Sequence, residues 1–203
     1  METPAYTHWS TARPYLTLGI FVFALVFINA YTDLHDTLRY DRASFFQNPE
    51  QAVGHALIHL NAQHLSLNLA GLIALFALFG AAFQTYSWLL ALLVSAISSA
   101  LGLYFFSPLT EWCVGLSGAL HGLAVYAILR SRAHPLWLVL LVAKILVEQI
   151  DPAPLQLLSS MTTQFIESKV IVDAHLWGAA GGFLYFSITR AYSTIRVIIE
   201  IND

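Results

Sequence analysis

The amino-acid sequence predicts an all-α, polytopic membrane protein, a single domain over residues 1–203 with six spanning helices and a core from about 15 to 189. Three observations carry this expectation. Hydrophobic residues make up 58% of the chain and charged residues only 10%, against about 45–50% and about 25% in soluble domains. The mean hydropathy is +0.67. The apolar residues are gathered into six runs near the length that crosses a bilayer, which is about 20 residues. So few charges cannot cover a water-soluble surface.

The first run, 15–31, follows Arg13 and meets no charge until Asp33. It has the look of a secretory signal, but the positive region before it is weak and Ile28-Asn29-Ala30 is a poor cleavage match. An uncleaved spanning helix is expected. A polar stretch over 32–54 leads to the second run, 56–83, whose polar start places its spanning part from about His64. Gln84-Thr85 makes a tight link to the third run, 87–106. Ser107-Pro108 and Glu111-Trp112 separate it from the fourth, 114–129, and Arg130-Ser131-Arg132 leads to the fifth, 135–150. The fourth and fifth are short, which suits helices that start or stop within the membrane plane. A loop over 151–173 precedes the sixth, 174–189.

Charge restricts both partners and orientation. The net charge is −3, with 9 Lys+Arg against 12 Asp+Glu and no basic block, so nucleic-acid binding has no support. The single cysteine, Cys113, allows neither an internal disulfide nor a zinc-type spacing. Arg13, Arg130, Arg132, Arg190 and Arg196 fall on one side of a six-span arrangement. Arg39, Arg42 and Lys169 fall on the other, outnumbered by acids. Both termini are therefore expected in the cytoplasm. Trp88 and Trp137 are expected at the inner interface and Trp112 at the outer one.

This parity brings His64 and Asn68 of helix two, Ser117 of helix four and His175 of helix six to one depth, in the outer leaflet. Polar groups within a membrane are costly and usually face one another or a cavity. Gly118 and Gly122 form a small-residue face on helix four, Gly178 and Gly182 another on helix six, and such faces pack closely. Close packing would bring Ser117 to His175, the minimum apparatus for covalent acyl transfer. His64 and Asn68, at i and i+4, would offer donors to an oxyanion. The competing reading is that these groups simply tie helices together.

The same residues carry a resemblance. His55-x-x-x-His59-x-x-x-x-His64-x-x-x-Asn68, the run Gly115-Leu116-Ser117-Gly118-Ala119-Leu120-His121-Gly122, and Ala174-His175-x-x-Gly178-x-x-x-Gly182 together resemble the rhomboid intramembrane serine proteases. The resemblance implies Ser117 as nucleophile, His175 as general base, and His64, Asn68 and the Ser117 N–H as the oxyanion site, without cofactor or metal. Many rhomboids have a tyrosine at the position of His121, packed against the catalytic histidine. His121 either supports His175 or competes with it. Gly71, where other rhomboids often carry bulk, implies a wider cavity.

The Gly115–Gly122 segment and the compact chain are most similar to the rhombosortase branch. That similarity implies a sorting protease of the bacterial cytoplasmic membrane, with its active site toward the periplasmic side. Its partners would be the lipid bilayer and transmembrane proteins bearing a C-terminal Gly-Gly motif, a spanning helix and a basic tail. An accessory protein is left open.

Several residues have a plainer reading. His55 and His59 are spaced as metal or haem ligands, but no HExxH motif accompanies them. Hydrogen bonds that shape the loop between helices one and two are expected instead, in support of the site. Lys144 and Glu148, one turn apart on helix five, are expected to neutralise each other or to snorkel, with a proton relay as the alternative. Asp173 is not assumed to join His175, since rhomboids resemble dyad enzymes. The competing class is a non-catalytic rhomboid-like binder of transmembrane helices; a small transporter or haem protein is third.

Overall fold

Helix α1 (Tyr6–Asn29) opens the computed structural model, which describes residues 6–84, 86–150, 163–165 and 170–202. One face of α1 is exposed and apolar, with Leu16, Ile20, Phe23 and Phe27. The other packs Phe21, Val22 and Leu25 into the main core. At its end Asn29 acts as a clamp. Its Nδ2 donates to the carbonyls of Leu25 and Leu57, both at 2.8 Å, and its Oδ1 accepts the His59 N–H at 2.7 Å.

The polar stretch that follows is structured. It holds α2 (Asp33–Leu38), β1 (Tyr40–Asp41) and α3 (Gln51–Gly54). Strand β1 pairs antiparallel with β2 (Trp112–Cys113), Tyr40 opposite Cys113. This two-residue ladder ties the first loop to the one after the third apolar run.

Helix α4 covers Ala62–Phe79 and passes into a short 3₁₀ turn, Gly80–Ala82. The apolar run begins at 56, but the helix begins at Ala62, close to the His64 expected for its spanning part. Asn61 is fully extended (φ −157°, ψ 177°), and its side chain accepts the His64 N–H at 2.8 Å. An N-cap of this kind satisfies an orphan donor of the first turn and fixes where a helix begins. Residues 55–59 therefore form a largely buried non-helical approach, with Leu60 exposed at its end.

The remaining helices are α5 (Ser87–Phe106), α6 (Ser117–Ser131), α7 (Leu136–Ile150) and α8 (Asp173–Asn202). Helix α6 starts at Ser117 rather than 114, because Gly115 takes φ +115°, a conformation glycine alone adopts freely. Helix α8 runs well past the expected end at 189. Its last turns are exposed, and Arg196 pairs with Glu200 at 2.8 Å. The loss of apolar character at Arg190 ends a hydrophobic run without ending a helix. Of the loop expected over 151–173, residues 151–162 and 166–169 lie outside the described residues, as does Thr85 of the link before α5.

Helices α5, α6 and α8 form the tightest part of the bundle. Ser98 and Ser99 donate to the carbonyls of Trp177 and Ala174 at 2.8 and 3.3 Å, and Gly102 leaves the room Trp177 fills. Trp88 is not the interfacial residue expected. It is fully buried, donates to Thr17 Oγ1 at 3.1 Å and meets Phe21 and Phe76 edge-on. A satisfied indole N–H is what allows it inside.

Three helical stretches among the described residues are long and apolar enough to cross a membrane: Ala12–Asn29, Ala62–Ala82 and Ser87–Phe106. Helices α6 and α7 have 15 residues each, about 22 Å of rise. Large apolar side chains are exposed on several helices, including Ile73 on α4, Leu90 on α5, Leu140 on α7 and Leu184 on α8. Apolar surface on this scale suits contact with lipid. The chain is an integral, mainly helical membrane protein.

Candidate active site

Two glycine faces decide the geometry. A Cβ on Gly178 would strike the backbone of Gly118, and one on Gly182 the backbone of Gly122; Gly122 is in turn closed by the Gly178 carbonyl and Ser95. The backbones of α6 and α8 thus touch along two turns. Ser117 immediately precedes Gly118 and His175 lies three residues before Gly178, so the two side chains meet at the same end. Ser117 Oγ is 3.1 Å from His175 Nε2. His175 is 4% exposed and Ser117 half-buried.

The other edge of the His175 ring is also engaged. Its Nδ1 lies 2.9 Å from Glu148 Oε2 on α7. The second carboxylate oxygen of Glu148 forms a salt bridge with Lys144 Nζ at 2.6 Å. The same ammonium donates to His121 Nε2 at 2.9 Å. His121 Nδ1 is 2.7 Å from the Ser117 carbonyl. A carbonyl only accepts, so Nδ1 carries the proton and Nε2 is left to accept from lysine. The His121 ring then lies flat on His175, with centroids 4.0 Å apart and planes inclined by 17°.

The sequence pairs Lys144 with Glu148, with a proton relay as the alternative, and does not link either to His175 or His121. The salt bridge is present, but both residues also reach into the site. A signal exists: two ionisable residues on an otherwise apolar membrane helix suggest function by default. What the sequence lacks is the rotation of α7 about its own axis. Asp173, the carboxylate nearer in sequence, opens α8 and lines the cavity.

That cavity, about 480 Å³, is lined by His64, Ser117, Leu60, Trp112, Ile171 and Asp173, among others. Hence His64 and Ser117 face the same space. The His64 ring packs against Gly115, where any Cβ would collide with it. Asn68 is buried one turn further along α4, its Nδ2 donating to the His64 carbonyl at 3.0 Å. Gly71 faces Leu120, which a Cβ would meet at 3.4 Å, and does not line this cavity.

His55 and His59 sit behind the backbone that presents Ser117. The His55 carbonyl accepts the Gly115 N–H at 2.8 Å, and its Nδ1 donates to the Gln51 carbonyl at 2.9 Å. His59 Nε2 accepts the Leu116 N–H at 3.4 Å. Burial pushes His55 down to about 4. Burial, with His64 and His35 nearby, pushes His59 down to about 3. Both rings are therefore neutral at physiological pH.

The family model of the rhomboid domain matches residues 48–192, which include every residue of this site. The chain belongs to the rhomboid family. A comparison with curated proteins finds no match. Rhomboids are intramembrane serine proteases that act on transmembrane substrates in the bilayer, so a serine and a histidine in contact beside a cavity are of direct interest here. One other chemistry is open to these side chains. Among the described residues, ligand atoms of His121, Glu148 and His175 lie within 4.8 Å of one another, close enough to hold a metal ion. In this rhomboid the Lys144 ammonium already bridges two of the three, which places a cation there without a metal.

Proposed function

We propose that the chain is an intramembrane serine endopeptidase working through Ser117 and His175. The observation that carries this reading is the 3.1 Å contact between Ser117 Oγ and His175 Nε2 at the cavity. In the proposed reaction Oγ attacks a peptide carbonyl while its proton passes to Nε2. Nε2 then returns the proton to the departing amine, and water resolves the acyl-enzyme. The Ser117 N–H, His64 and the second N–H of the Asn68 amide hold the oxyanion. His121 supports the site by stacking on His175 and by its hydrogen bond to the Ser117 carbonyl. His55 and His59 support it by holding the backbone before Ser117.

The proposed substrates are membrane proteins cut near the outer face of the cytoplasmic membrane, with six spanning helices in the enzyme and both termini inside. The segment Gly115–Gly122, with His121 in it, favours the rhombosortase-like reading, in which C-terminal tails of Gly-Gly motif, spanning helix and basic residues are removed.

The test is labelling of detergent-purified protein with a fluorophosphonate, the adduct located by mass spectrometry. An adduct on Ser117 that is lost in His175→Ala is the expected result. Loss of one oxyanion donor in Asn68→Ala should slow labelling about 100- to 1,000-fold. Folded protein that never labels would favour the non-catalytic binder of transmembrane helices.

A further inference from the structure

Helix α7 is held to the bundle in an unusual way for an apolar helix. Ile145 is its one buried side chain, packed with Val125 and Ala179. Leu138 and Leu141 pack half-buried against the core beside it, and toward the centre of the site the helix adds polar contacts: Glu148 to His175 and Lys144 to His121. Glu148 is only 22% exposed, and Lys144, exposed at 49%, is paired with it; charges in a membrane are costly unless paired. A helix that needed only to contact lipid would carry neither residue.

We propose that Glu148 is a positioning residue for His175, making the site a serine–histidine–glutamate relay whose third member comes from α7. The inference rests on the reading of Ser117 as nucleophile. A neutral imidazole carries one proton on either nitrogen, and only the form protonated at Nδ1 leaves Nε2 free to accept from Ser117. The Glu148 carboxylate accepts and does not donate. At 2.9 Å from Nδ1 it selects that tautomer and fixes the ring plane. Lys144, bonded to Oε1, keeps the carboxylate turned toward the ring, and the stacked His121 closes the remaining face.

During attack the Oγ–C bond forms, the carbonyl π pair moves onto oxygen, and the serine proton moves to Nε2. Glu148 receives no proton; it stabilises the imidazolium through the Nδ1–H bond. Among the described residues, Ser117, Glu148 and His121 contact the His175 ring, with Lys144 behind the last two.

The test uses full-length protein labelled with ¹⁵N-histidine in detergent, with His175 assigned by difference from His175→Ala. Wild type should show the Nδ1–H tautomer. Glu148→Gln is nearly isosteric, but its amide can donate to Nδ1 and so should shift the ring toward the Nε2–H form. Fluorophosphonate labelling of Ser117 should then fall about 100- to 10,000-fold, with the melting temperature unchanged. Glu148→Asp should recover part of the rate, which lost packing alone would not explain. Wild-type tautomer and wild-type labelling in Glu148→Gln would overturn the inference and leave Ser117 as nucleophile. A tautomer that follows Glu148 in a protein whose Ser117 never labels would support the positioning role and overturn the nucleophile instead.

Discussion

Glu148 Oε2 and Ser117 Oγ lie on opposite edges of one imidazole, 2.9 Å from Nδ1 and 3.1 Å from Nε2 of His175. The three residues come from three helices, α7, α6 and α8. Each contact therefore depends on how those helices pack, and the packing can be perturbed one helix at a time.

The α6–α8 contact is the first to test. Glycine inside a helix costs about 0.5–1 kcal/mol relative to alanine, so Gly→Ala is favourable where space exists. At Gly19 nothing lies within 4 Å of a Cβ, and Gly19→Ala should hold or raise thermal stability. At Gly178 the Cβ would meet the Gly118 backbone, which cannot move aside as a side chain can. Overpacking there should cost about 1–3 kcal/mol and part Ser117 from His175. Thermal unfolding and probe labelling should fall together in Gly178→Ala and stay level in Gly19→Ala.

Gly178 also illustrates how much is legible from sequence. Small residues four apart on two apolar runs foretell close approach of those runs, because lipid offers helices no hydrophobic reason to associate and shape must do the work. The same spacing on α4 foretells that His64 and Asn68 share a helix. The exact start of α4 is not legible beyond the polar lead that places it near His64, because it turns on the extended backbone of Asn61. Nor is the role of Glu148, whose partner is 27 residues away and is chosen by the rotation of α7. Trp88 misleads for a related reason: a tryptophan at the end of an apolar run looks interfacial until Thr17 provides an internal partner.

Acid should destabilise the protein through the loop before α4. His55 and His59 are held at about 4 and about 3 in the folded state, below the ordinary value of about 6.5. Depressed histidines contribute stability that is present above the unfolded value and lost as pH falls, because the unfolded chain takes up protons first. Melting temperature should decline from about pH 6.5 toward pH 4. His55→Gln, which removes one of the two groups, should make that decline shallower. An unchanged slope would place the acid sensitivity elsewhere.

Lys144 offers a test of whether its ammonium excludes a metal ion from the three side chains beside it, whose ligand atoms lie within 4.8 Å of one another. Its ammonium sits on His121 Nε2 and Glu148 Oε1. Lys144→Met keeps much of the stem and removes the cation, leaving His121, Glu148 and His175 free to take Zn²⁺, for which such donors are suited. Added Zn²⁺ should inhibit probe labelling of the variant at lower concentration than it inhibits wild type, and a chelator should reverse it. Equal sensitivity of the two proteins would mean that Lys144 does not guard the cluster.

The thin attachment of α7 bears on how a substrate helix would arrive. With Ile145 alone buried, α7 has less packing to lose on moving than α6, which is buried along most of its length. It meets α4 through Phe79 and Trp137, whose rings lie 5.7 Å apart edge-to-face. We expect lateral entry between α4 and α7, a movement that would carry Glu148 away from His175 and require its return before cleavage. Two assays separate these steps. A cross-link between cysteines introduced in α4 and α7 should stop cleavage of a membrane substrate, because the gap cannot open. The same cross-link holds Glu148 in place, so labelling of Ser117 by a small fluorophosphonate should continue. Loss of both activities would show that the cross-link distorts the site, and retention of both would mean that substrates enter elsewhere.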